Sequence, residues 1–103
     1  MKKLKQIWRY YFNVEIRLLK RLRYALIAEH NTRHLGGICE TIRTFNSVYR
    51  TYYFNQKERN ILFRILEENI SNKNFKNEYL FPKGELQPRL DWCDMVINKI
   101  MVQ

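Results

Sequence analysis

The first twenty-four residues, Met1–Tyr24, read MKKLKQIWRYYFNVEIRLLKRLRY and carry eight Lys/Arg against one acid, Glu15. Wrapped at about 100° per residue, they sort into two faces. Leu4, Ile7, Trp8, Tyr11, Leu18, Leu22 and Leu26 fall on one arc, and Lys2, Arg9, Arg17, Lys20, Arg21 and Arg23 on the other. The spacing predicts one long amphipathic helix from about Lys3 to His30, ending in the polar run Asn31–His34 before Gly36 and Gly37. Its apolar arc is expected to form part of the core, so that removing residues 1–24 would unfold the domain. Glu15 lies within that arc, where an ionised carboxylate needs a cation or several donors to meet it.

Three further helices follow from the remaining pattern. Ile38, Ile42, Phe45 and Tyr49, spaced by 4, 3 and 4, predict a helix opening after Gly37. Val48–Phe54 contains strand-like residues but has no strand to pair with, and is expected to be a helix end and connector. Asn55 followed by Glu58 is a capping-box signature for a helix starting at Gln56 and reaching about Ile70. Ile61, Leu62, Phe63, Ile65, Leu66 and Ile70 cover more than half of its circumference, which suggests a central position. Ser71–Gln87 reads as a polar loop with an apolar plug at Tyr79-Leu80-Phe81-Pro82. Pro88 suits the first turn of a last helix, where no amide donor is needed. That helix should bury Leu90, Trp92, Cys93, Val96, Ile97 and Ile100, leaving Arg89, Asp91, Met95 and Lys99 outside or at an edge. The expected fold is thus an all-α single domain over residues 1–103, of about four helices. A long basic helix would occupy residues 1–34 and a compact helical core residues 37–103.

Composition supports one globular unit. Hydrophobic residues make up 46% of the 103-residue chain and aromatics 15%, well above what a disordered chain carries. The net charge of +9 is uneven. Residues 1–50 hold eleven cations and three acids, and residues 51–103 hold eight and seven. Such asymmetry points to a phosphate-bearing or acidic partner. Arg9, Arg17, Lys20 and Arg21 share an arc and are the first candidates for anion contact. The second group is Tyr79, Lys83, Arg89 and Trp92, where aromatic faces beside a guanidinium and loop amides could stack a base and hold its phosphate.

Several chemistries find no support in the pattern. Cys39 and Cys93 lack further ligands at zinc spacing and point to reduced thiols in a cytoplasmic setting. His30 and His34 stand four apart, but no acid or Cys lies in register with them, so no metal site is expected. No catalytic triad, phosphate loop or paired carboxylates emerge, and the chain is read as a non-enzyme without a cofactor. Charged residues interrupt the start where a signal peptide would be apolar, and no apolar run approaches the roughly 18 residues of a membrane span. Membrane-surface binding is set aside because the first helix's apolar side is assigned to the core.

Gly37-Ile38-Cys39, then Tyr79-Leu80-Phe81-Pro82, then Pro88-Arg89 and Trp92 resemble a loose pattern in small phage and prophage proteins. There the order is Gly-Leu-Cys, Phe-Pro, and Pro-Arg with an aromatic and a Leu soon after. The resemblance covers residues 37–97, with Ile38 in place of Leu and Cys93 where Leu is common. It implies a phage accessory protein, of the kind that counters host defences by binding an enzyme, a nucleic acid or a nucleotide signal.

These observations lead to an expected function. The chain is read as an anti-defence protein in the host cytoplasm that sequesters a phosphate-bearing small molecule, a nucleotide immune signal, between copies of a homo-oligomer. RNA or DNA binding through the first helix and inhibition of a host defence protein are the alternatives.

Overall fold

A computed structural model describes residues 2–31, 38–43, 54–69 and 85–103. Among them are five helices and no strand: α1 (Lys2–Phe12), α2 (Val14–Asn31), α3 (Ile38–Arg43), α4 (Gln56–Glu68) and α5 (Gln87–Met101). The all-α expectation holds. The count rises by one because the long first helix is interrupted at Asn13.

The interruption has a local chemical cause. The Asn13 amide donates to the Arg9 carbonyl at 3.1 Å, closing α1. Its side-chain Oδ1 accepts from the Ile16 amide at 3.0 Å, capping α2 three residues on. Asparagine competes well for backbone donors and is favoured at this position. Glu15 consequently sits in the first turn of α2, half-buried, where the helix dipole favours a negative charge. That replaces the expected position in the middle of an apolar face.

The bend separates two halves of the predicted apolar arc. Ile16, Leu18, Leu19, Leu22, Ala25 and Leu26 of α2 are buried. Leu4, Ile7, Trp8, Tyr11 and Phe12 of α1 are instead 53–62% exposed. The periodicity was helical throughout, but only its second half faces other helices. It is α2, rather than α4, that holds the centre, packing against α1, α3, α4 and α5.

Around α2 the core assembles from faces that the sequence largely marked. Ile38, Cys39 and Ile42 come from α3, Leu62, Ile65 and Leu66 from α4, and Leu90, Trp92, Cys93, Val96 and Ile97 from α5. Phe54 closes the cluster from just before α4. The capping box forms as expected, with Asn55 accepting from the Glu58 amide at 2.8 Å and Glu58 accepting from the Asn55 amide at 3.0 Å. Burial pushes the Glu58 carboxyl up, but the Asn55 amide and Arg21 outweigh it and hold it below the usual range. Helix α4 ends at Glu68, with Asn69 as its C-cap. The Asn69 Nδ2 donates to the Ile65 carbonyl, its Oδ1 accepts from Lys99, and its carbonyl accepts from Trp92 Nε1 at 3.3 Å. Phe45, Tyr49, Val48–Tyr53, Ile70 and the Tyr79–Pro82 plug lie outside the described residues.

Three polar side chains in the interior, Glu29, Thr41 and Arg89, were not foreseen. Thr41 Oγ1 donates to Glu29 Oε2 at 2.7 Å, joining α3 to α2 in a buried hydrogen bond. Arg89, expected outside or at an edge, is 2% exposed. It stands three, four and seven residues before Trp92, Cys93 and Val96, so helical geometry places it on the buried face. Its charge suggested otherwise, and the spacing prevailed.

The two cysteines are buried and unbridged. Burial pushes the Cys39 thiol up, against a pull from Arg43. The Cys93 thiol is pushed up to about 12 by burial, reinforced by Asp94, with Arg23 opposing. A raised folded-state value means a contribution fully present below the ordinary thiol value of 9.0 and lost as pH rises toward about 12. Between those limits stability should fall by up to about 1.4 kcal/mol per pH unit on account of Cys93. Denaturant titrations of wild type and Cys93→Ala across that window check this, because the variant's curve should be the flatter.

Candidate functional site

The first-helix cations do not form one continuous basic face once the chain bends. Arg9 Nη1 donates to the Met101 carbonyl at 3.2 Å, so the guanidinium meets the carbonyl-rich end of α5. Arg21 pairs with Glu58 and lies 5.2 Å from the centre of the Phe54 ring. Arg23 makes a forked contact with Asp94, Nε to Oδ1 at 3.0 Å and Nη2 to Oδ2 at 3.4 Å, tying α2 to α5. Arg17 is exposed.

Lys20 behaves differently. Its Nζ donates to the Tyr10 carbonyl at 3.1 Å and sits 4.0 Å above the Tyr10 ring and 5.2 Å from that of Tyr11. In a straight helix ten residues span roughly 15 Å, beyond the reach of a lysine. The bend at Asn13 makes the contact. It also brings Tyr10 to the rim of a cleft between the end of α1 and the flanks of α2 and α5.

That cleft has a volume of about 590 Å³ and is lined by Tyr10, Lys20, Arg23, Tyr24, Ile27, Asp94, Ile97 and Asn98. The size lies within the range of small-molecule sites. Two phenol rings stand at its edge, with Tyr24 70% exposed. Ile27 and Ile97 supply an apolar wall. Lys20 offers an ammonium, and the Arg23–Asp94 fork and Asn98 offer donors and acceptors. Tyrosine faces can stack a planar ring while an ammonium meets an anion.

Of the six residues singled out by sequence that are described, this cleft contains Lys20 alone. Arg9, Arg17 and Arg21 are elsewhere on the surface. Arg89 and Trp92 belong to the interior, and Tyr79 and Lys83 lie outside the described residues. Tyr10, Tyr24 and Asp94 were missed. The detectable signal was Asn13 followed by Glu15, a cap and a first-turn acid, which marks a new helix start and hence a bend. Among the described residues no group of three or more His, Cys, Asp or Glu converges as a metal site, and His34 is not among them.

No protein-family model matches the chain. Neither the curated proteins nor the solved structures contain a match to it.

Proposed function

We propose that this chain is a binding protein, without catalysis of its own, that captures a phosphate-bearing aromatic ligand of nucleotide type in the cleft between α1, α2 and α5. The observation that carries the proposal is the cleft itself, where Lys20, held over Tyr10, faces a 590 Å³ space edged by Tyr24. The base would stack on the tyrosines and the phosphate would draw Lys20 away from the Tyr10 carbonyl. Asp94, gripped by Arg23, is suited to receiving an exocyclic amino group more than to moving a proton. A compact ligand fits better than a nucleic-acid backbone, since Arg9, Arg21 and Arg23 are engaged within the fold instead of forming a row. The resemblance to phage accessory proteins supplies a setting in which such capture would remove a host immune signal.

Titration calorimetry with adenosine monophosphate, adenosine triphosphate and a cyclic dinucleotide, against adenosine and inorganic phosphate alone, tests the proposal. At least one nucleotide should bind, and Lys20→Glu or Tyr24→Ala should each weaken it about ten-fold or more, or ~1.4 kcal/mol. Arg17→Glu, away from the cleft, should change little. The salt dependence should be shallow, unlike the slope of about 0.9 per phosphate contacted on duplex DNA. Failure of every nucleotide to bind, or equal affinity in the Lys20 and Tyr24 variants, would remove the cleft as the site.

A further inference from the structure

Helix α1 is turned the wrong way for a helix that only completes a core. It meets the body through Arg9, which donates to the Met101 carbonyl, and through Tyr10, whose carbonyl and ring both meet Lys20. Its apolar side, Leu4, Ile7, Trp8, Tyr11 and Phe12, is 53–62% exposed. Trp8 and Phe12 already pack together there, ring centres 4.5 Å apart. Taking about 150–250 Å² for each aromatic, the exposed face amounts to roughly 600 Å², at the upper end of what a monomer normally displays.

We infer that α1 docks this face on the surface of an anionic lipid bilayer. Charge selects the occupant. The helix contains Lys2, Lys3 and Lys5, besides Arg9 engaged with α5, and no acid, within a chain of net charge +9. A second copy would press like charge against like charge, and roughly 600 Å² per partner falls short of the about 800 Å² of a standard interface. A bilayer with negative headgroups reverses the sign of that interaction, each Lys or Arg near it raising partitioning about five-fold. Trp, Tyr and Phe on one side with Lys and Arg on the other are what an in-plane interfacial helix requires. No described helix is long and apolar enough to cross a membrane, so the attachment is to the surface. The reason for setting membrane binding aside, that the core needs α1's apolar side, does not hold in the folded chain. This inference does not depend on the nucleotide cleft.

Vesicle co-sedimentation of the full chain, with tryptophan emission recorded in parallel, provides the test. Trp8 is exposed and Trp92 buried, so a blue shift on binding reports Trp8. Vesicles of equal parts phosphatidylcholine and phosphatidylglycerol should bind the protein, and phosphatidylcholine alone should bind it at least ten-fold less. The double variant Trp8→Ser/Phe12→Ser should keep its helical circular dichroism and lose anionic-vesicle binding at least ten-fold. Tyr24→Ala, which weakens the cleft and leaves the Lys20 contact with α1 in place, should retain binding and the blue shift. Absence of binding to the anionic vesicles, or undiminished binding of the Trp8/Phe12 variant, overturns the inference. So does a concentration-dependent dimer that the same two substitutions abolish, which would assign the face to a second copy.

Discussion

Leu22→Ala should destabilise the domain by about 2–5 kcal/mol, whereas Trp8→Ala should leave it within about 0.5 kcal/mol of wild type. Both residues lie on the same predicted arc, and tryptophan is the larger. The difference comes from the Asn13 break. Leu22 is fully buried at the centre of α2, among side chains drawn from the helices around it, and truncation there opens a cavity that close-packed neighbours fill only in part. Trp8 is 60% exposed, with its ring set against that of Phe12. Urea titration of the two variants reads the contrast directly. Comparable losses would mean that α1 packs on the core in solution.

The second large effect belongs to Arg89. Its side chain is among the largest fully buried ones in the fold, and it is not without a partner. Arg89→Ala removes the volume and strands whatever met the charge, so a loss of about 3–5 kcal/mol is expected. Arg89→Lys keeps the charge but not the planar fork, and should lower the Tm as well. In neither case should nucleotide affinity per folded molecule change, because the cleft at Lys20 and Tyr24 is formed by other residues. Thermal unfolding and calorimetry on the same Lys variant separate the two roles. An unchanged Tm with lost affinity would return Arg89 to the ligand site.

The sequence announced helices wherever apolar spacing and a cap agreed. Asn55 and Glu58 marked the start of α4 correctly, and Pro88 fell in the first turn of α5. The buried faces of α2 and α5 were legible for the same reason, since periodicity reports which residues share a side. What periodicity cannot report is whether that side meets anything. Leu4 and Trp8 continue the arc of Leu18 and Leu22 only if the axis stays straight, and one asparagine side chain bonded to one amide was enough to bend it. The candidate site was less legible still. It depends on Tyr10 and Lys20 meeting across that bend, a contact between positions too far apart for a straight helix. Charge was a poor guide to exposure at Arg89, and a poor guide to availability at Arg9, Arg21 and Arg23, whose partners come from distant segments.

The link between the end of α4 and α5 depends on one intact amide. Asn69 uses both unlike ends of its amide, giving a hydrogen to Ile65 and taking one from Lys99. Hydrolysis of that amide to a carboxylate would set a second oxygen against the Ile65 carbonyl, so attraction there becomes repulsion. It would also place a negative charge at the carbonyl end of α4, which the helix dipole disfavours. Only the contact with Lys99 would gain, and it is exposed to solvent, where an ion pair contributes little. Exchange of that one amide for a carboxylate would therefore loosen the joint that seats Trp92, because the joint relies on the two unlike ends of a single side chain.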